Sequence, residues 1–339
     1  MFCKRRLALM HSRILFVSAL ALFFACSSDE NRTASQRAMQ DYLQALRAPD
    51  MEAAAPPAYP RQRQRQYHLE EKRYPFLDFL ALENSELQRL IAERNSALGR
   101  VMQPVRQLAY EQHFLKIVLA DTERGEKQEE LAAVVAQKER ELAKHYWNAT
   151  FGGSEFASLW QASGREFGPD DDHALREVIG LLEKLEKIDY TPEGPALNVT
   201  EMEKTLDALT RNRHLLYRFS HYVGELSDAL QAASLALQKG GDGLKNNRIR
   251  KAFQQNYRED IQPMIVRAHR NGRELFPLLQ RVAEKINHRD LAQVKSFFAG
   301  LVGPESSAVW PYFQASTEAH NTAWQKYFER HNWSPFETK

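Results

Sequence analysis

The run Leu80-Ala-Leu-Glu83-Asn-Ser-Glu-Leu87-Gln-Arg-Leu90-Ile91-Ala-Glu-Arg94-Asn95-Ser96-Ala-Leu98-Gly99-Arg-Val101 decides how the fold is read. At 100° per residue, Leu80, Leu87, Leu90, Ile91, Leu98 and Val101 fall on one stripe, as in an amphipathic helix. Glu83 and Arg94 fall inside that stripe. In the next segment Leu108, Leu115 and Val118 form a second stripe, which includes Glu111. Three charges on core-facing positions are unusual, because a buried charge is costly unless paired. The pattern predicts a buried polar cluster in which Arg94 bridges Glu83 and Glu111 and fixes helix register. Its rival is a pocket with the two glutamates as acid and base. Arginine pairing lowers carboxylate pKa values, which suits a structural role better than acid catalysis. Gly99 within the helix points to close helix packing.

Outward from this run the helical period continues almost without interruption. Pro75 suits a first helical position, and helices are expected over 75–102, 105–123, 126–147, 156–162 and 171–187. A long helix is expected over 200–238, opened by Thr200 with Glu203 as a capping box. Further helices are expected over 248–286, 291–298 and 306–331. No stretch of alternating β-branched residues competes. The fold class is therefore all-α, a multi-helix bundle with long antiparallel helices.

Before the bundle, Thr33 or Ser35 caps a short helix with Met39, Tyr42, Leu43 and Leu46 on one face. Residues 53–75 are rich in breakers (Pro56, Pro57, Pro60) and carry the alternating run Arg61-Gln-Arg63-Gln-Arg65-Gln, which reads as a solvated tether. The first residues have the layout of an export signal. Lys4, Arg5, Arg6 and Arg13 precede an apolar run from Ile14 to Phe24, too short for a spanning helix. That run ends Ala25-Cys26-Ser27, which resembles the bacterial lipobox, although Phe23 and Phe24 stand where the pattern prefers small or aliphatic residues. The expectation is a signal peptide over 1–25, lipidation at Cys26 with a linker to 74, and a helical domain over 75–339. Ser27 rather than aspartate after the cysteine implies residence in the outer membrane, facing the periplasm. Anchorage by several acyl chains is far firmer than by one.

Composition narrows the function classes. The chain of 339 residues has a formal charge of +2; without the four signal cations it becomes −2, so nothing calls for a nucleic-acid partner. With Cys3 removed in the signal, Cys26 stands alone, which leaves no disulfide within the mature chain, no cysteine zinc site and no Cys-His nucleophile. His214 and His221 lie about 10 Å apart along one helix, too far for one metal ion. They share a face with Arg218 and Glu225 opposite the Leu209, Leu216, Val223 and Leu230 stripe, which reads as solvated surface. His320, near Trp310, Phe313, Trp324 and Phe328 in sequence, reads as a satisfied core histidine. Asp170-Asp171-Asp172 lacks calcium-loop spacing and reads as a helix cap. No phosphate loop, dinucleotide fingerprint or nucleophile elbow occurs.

The stretch Leu77-Asp78-Phe79-Leu80 through Leu90-Ile91-Ala92-Glu93-Arg94-Asn95-Ser96-Ala97-Leu98-Gly99 resembles the signature of a Gram-negative lipoprotein family catalogued as domain of unknown function 3080. Trp147-Asn148-Ala149-Thr150-Phe151-Gly152-Gly153 is similar to its second recurring motif. The resemblance implies a lipoprotein and supplies no activity, cofactor or catalytic residue. Two readings follow. One is a non-enzymatic protein anchored in the outer membrane that binds an envelope protein or glycan. The other is a hydrolase of a cell-wall polymer with Glu83 or Glu111 as acid. The first is favoured, with no catalytic residue, metal or cofactor assigned.

Overall fold

The computed structural model describes residues 33–49, 55–69, 85–97, 99–123, 132–239, 246–285 and 291–334. Among these the architecture is all-α, with helices and turns and no strand. The segment 1–32, on which the expected signal and Cys26 fall, lies outside the described residues, as do Glu83, Leu98 and residues 77–84 of the first motif. The chain divides into two compact units. Unit 1 comprises Met1–Met51, Ala229–Met264 and His320–Lys339; unit 2 comprises Glu52–Asp228 and Ile265–Ala319.

Unit 1 opens with α1, Ala34–Leu46, capped as the sequence predicts: the Thr33 side chain accepts from the Gln36 N–H, and Met39, Tyr42, Leu43 and Leu46 are buried. Helix α1 packs on the ten-residue π-helix Ala252–Ile261, which follows the short α10, Asn246–Lys251. The widened turn is seen where the Gln262 N–H donates to the Tyr257 carbonyl, five residues back. Pro263 brings no N–H and its ring crowds the carbonyl four residues earlier, and the wider pitch upstream relieves that conflict. Long π stretches are rare. This one stacks Phe253 on Tyr257 (5.3 Å) and turns Tyr257 toward His320 (5.3 Å).

Unit 2 holds most of the described helices: α2 (Gln62–Arg65), α3 (Ser85–Asn95), α4 (Pro104–Glu123), α5 (Ala132–Ala149), α6 (Ser154–Ser158), α7 (Asp171–Glu186) and α8 (Val199–Arg211). The helices α9 (Leu215–Lys239), α11 (Gln262–Glu284) and α13 (Val309–Arg330) lie partly in it, and α12 (Ala292–Val302) wholly. Helix α4 packs against both α3 and α5. Leu87, Leu90, Ile91, Tyr110, Phe114, Ile117 and Val118 form a buried cluster between them.

Three local expectations are corrected. Helix α3 stops at Asn95, because the Ser96 hydroxyl donates to the Glu93 carbonyl and accepts from the Gly99 N–H. A Cβ at Gly99 would stand 2.4 Å from the Glu93 carbonyl oxygen, so the glycine serves this turn rather than helix packing. Val101, expected on the buried stripe, is exposed. The helix expected over 200–238 is two helices. Asn198, not Thr200, caps α8 by accepting from the Glu201 N–H, and the chain breaks at His214, where φ is +68°. The break is satisfied from α6: His214 N–H donates to Ser158 O and Tyr217 N–H to Leu159 O. Shared apolar period cannot reveal such a break, since the stripe continues through it.

Candidate functional site

The motif Trp147-Asn148-Ala-Thr150-Phe151-Gly152-Gly153 closes α5 and holds the segment 59–67, which contains α2. Trp147 Nε1–H donates to Arg65 O at 2.8 Å. The Asn148 amide imitates a strand partner, accepting from Tyr67 N–H at 2.8 Å and donating to Tyr67 O at 2.9 Å. Tyr59 donates to Phe151 O at 2.7 Å, and Arg65 Nε to Gly152 O at 3.0 Å. A Cβ on Gly152 would meet the Trp147 ring at 2.9 Å, so the turn has room only for glycine. The Arg-Gln run expected as a free tether is thus docked at both ends, with residues 61–64 alone exposed. Its anchors are backbone acceptors, which carry no sequence pattern.

The docked segment forms one wall of a cleft of about 520 Å³. Gln62 and Gln66 come from this wall, Gln103 precedes α4, and Ser154 and Glu155 open α6. One face of α8 presents Glu203, Asp207 and Thr210. Glu203 pairs with Arg106 at 3.1 Å, both partly exposed, and Glu155 lies in the field of Arg65. Asp207 is exposed with no ion-pair partner among the described residues. The cleft therefore offers amides, two hydroxyls and carboxylates, groups that hydrogen-bond a polar ligand and orient it. On the other side of the docked segment, Pro57, Tyr59, Gln293 and Phe297 line a more open hollow of about 560 Å³. The sequence did not reveal the cleft, because it is assembled from four segments distant along the chain.

Of the three residues expected in the charge cluster, Glu83 lies outside the described residues, while Arg94 and Glu111 are described. Glu111 is buried, and its ion partner is Lys138 of α5, itself largely buried. Lys138 also lies over the Tyr110 and Phe114 rings, at 5.4 and 4.8 Å. Arg94 donates to the Gly99 carbonyl and acts on Tyr110 and His145 through its field. The α4–α5 pairing brings Lys138 onto the charged position of the α4 stripe. Burial holds His145 below the usual imidazole value.

A larger charged hub stands where the sequence suggested a cap and a solvated face. Asp170 makes no side-chain cap bond. Asp171, buried, accepts from Arg218 of α9 at 2.9 and 3.1 Å, from Arg165 at 3.2 Å and from Gly168 N–H at 3.0 Å. Asp172 accepts from Arg270 and from Asn271 Nδ2 at 2.8 Å, both on α11, with Arg267 at 3.6 Å. Arg218 is accordingly buried, not solvated. His221 remains half-buried against Glu225 at 3.3 Å, which raises its pKa.

In unit 1, His320 is the satisfied core histidine that was expected, with different neighbours. Its Nε2 lies 3.0 Å from Tyr42 Oη and receives Trp324 Nε1–H at 3.1 Å; Ser234 Oγ lies 3.4 Å from Nδ1. Burial lowers its pKa to about 3. Trp310 and Phe313 pack instead with His269 and Phe276 in unit 2. Among the described residues no group of three or more His, Cys, Asp or Glu is placed to hold a metal ion.

The fold and the site define an all-α protein with a polar cleft and with buried ion pairs at Glu111–Lys138 and Asp171–Arg218. The chain belongs to the family described as protein of unknown function DUF3080, whose model matches residues 32–335. No curated protein and no solved structure compared with the chain matches it.

Proposed function

We propose that the protein is a lipoprotein of the outer membrane, lipidated at Cys26, whose periplasmic helical body binds an envelope protein or glycan in the cleft between the docked 62–66 segment and α8. The single observation that carries the binding reading is the cleft itself, roomy and lined by amides and carboxylates. The pairing of Glu111 with Lys138 supports it from the other side. A buried carboxylate engaged by a neighbouring cation is not presented to a substrate, as a general acid must be. The lipobox-like Ala25-Cys26-Ser27 supports the anchorage, and the family described as of unknown function adds no activity to it.

Two experiments test the reading. A radioactive fatty acid should label the wild type and not Cys26→Ser, with the label in the outer-membrane fraction; equal labelling of both removes the anchor. Photocrosslinking side chains placed at Gln66 or Thr210 should give discrete adducts in intact cells, and one placed at Arg176 on the exposed side of α7 should not. Identical patterns from all three positions, or none, contradict binding in the cleft.

A further inference from the structure

The two units differ in charge. Among the described residues, unit 1 carries nine lysines and arginines against four aspartates and glutamates, whereas unit 2 carries 25 against 26. Much of the excess in unit 1 lies at the C-terminus of α1 and on α10, which packs against it. Arg47 is the left-handed C-cap of that helix, with φ +54°. Arg248 of α10 donates to the Ala45 and Gln44 carbonyls at 3.0 and 2.5 Å, where a cation complements the helix dipole. That role accounts for Arg248 alone. Arg250 lies over the Trp333 ring at 5.3 Å, and both Arg250 and Arg330 bear on Tyr327. Lys251 follows on the next position. Arg47, Arg250, Lys251 and Arg330 are all exposed, without an ion-pair partner among the described residues.

Exposed cations around a partly exposed tryptophan are the composition of a membrane–water interface. Basic side chains attract lipid phosphates, and an indole sits at headgroup depth. A purely structural set of cations would be matched by acids, as the arginines around Asp171 and Asp172 are. We infer that this end of unit 1 is a docking surface for the phosphate headgroups of an anionic lipid leaflet. The inference rests on the proposed anchorage for its biological setting. Thr33, where unit 1 begins to be described, follows Cys26 by only seven residues, a reach of about 24 Å when extended. The bilayer is thereby kept within range of the patch, and contact with it fixes the orientation of unit 1.

The test uses the lipid-free chain 27–339, which retains every described residue and the whole family-matched segment. The probe is vesicles of phosphatidylcholine with about one third phosphatidylglycerol, read by co-sedimentation at low salt. Binding is expected to these vesicles, to weaken steeply with added salt, and to be absent from pure phosphatidylcholine. Replacing Arg250, Lys251 and Arg330 by Glu should weaken it about a hundred-fold or more. The same number of reversals at Arg176, Lys204 and Arg211 in unit 2 should leave it unchanged. Circular dichroism checks that the variants are folded. No binding of the wild type, or equal loss in both triple variants, overturns the inference. Abolition of vesicle binding by millimolar inorganic phosphate would instead assign the patch to free phosphate, and binding confined to vesicles containing lipopolysaccharide would assign it to that glycolipid. Because the chain carries no acyl group, failure here leaves the Cys26 labelling result intact, and failure of labelling leaves this result intact.

Discussion

Arg218 closes on Asp171 with both arms of its guanidinium, at 2.9 and 3.1 Å, and both side chains are less than a tenth exposed. The pair joins the start of α7 to α9, with Asp172 doing the same toward α11. Breaking a buried pair from one side leaves a charge without a partner, which costs about 3–5 kcal/mol. Arg218→Ala should therefore lose stability on that scale in urea unfolding, while the exposed Arg165→Ala should lose within about 1 kcal/mol. Arg218→Ala within half a kcal/mol of wild type would mean that the pair is not formed in solution.

The same reasoning applies to Glu111, held by Lys138 between α4 and α5. Lys138→Met keeps the apolar stem but removes the ammonium that lies over Tyr110 and Phe114 and strands the carboxylate, and should destabilise by about 3–5 kcal/mol. Adding Glu111→Gln to it should restore a large part of that loss, since the stranded charge is gone. Non-recovery in this double-mutant cycle would show that Lys138 acts through its ammonium over the Tyr110 and Phe114 rings and not through Glu111.

His320 sets a pH dependence. Burial lowers its folded pKa to about 3, below the unfolded value of about 6.5. Below pH 6.5 the unfolded chain binds a proton that the folded chain refuses, so stability falls as pH drops, by up to about 1.4 kcal/mol per unit until pH approaches 3. His320→Gln cannot titrate, and its stability should fall less between pH 6.5 and 4. Parallel slopes for the two proteins would contradict the buried neutral imidazole.

Docking of the Arg-Gln run is tested by limited proteolysis. Trypsin sites at Arg61, Arg63 and Arg65 lie in a segment held by Trp147 and Asn148. Asn148→Ala removes two bonds to Tyr67 and should speed cleavage within 61–65 several-fold without unfolding unit 2. Equal cleavage rates would show that the segment is held by other contacts.

The helical class and nearly every helix were legible in the sequence because burial at α1, α4 and α7 follows the 3.6-residue period. Glu111 was legible too, as a charge on an apolar stripe. Its partner was not: Lys138 reaches it through the α4–α5 pairing, which periodicity does not specify. Asp171 and Arg218 stand 47 positions apart and each looked like an ordinary surface charge on its own helix. The turn at Gly152 could be read as a break, yet its role of holding Arg65 and Tyr67 depends on carbonyls that any residue supplies. The cleft combines these long-range effects, which is why no single segment announced it.

The central claim is that the body works by binding in this cleft and not by acid–base chemistry at Glu111. The most direct measurement is rescue of a deletion strain's phenotype by two folded, equally expressed variants. Glu111→Gln, combined with Lys138→Met so that no buried charge is left unpaired, removes the acid–base function and nearly preserves side-chain volume, whereas Asp207→Trp, on an exposed position, obstructs the cleft without disturbing the core. The account predicts that Glu111→Gln with Lys138→Met restores the phenotype and Asp207→Trp does not. Full rescue by Asp207→Trp together with failure of the Glu111→Gln, Lys138→Met variant would contradict it and move the protein to the enzymes.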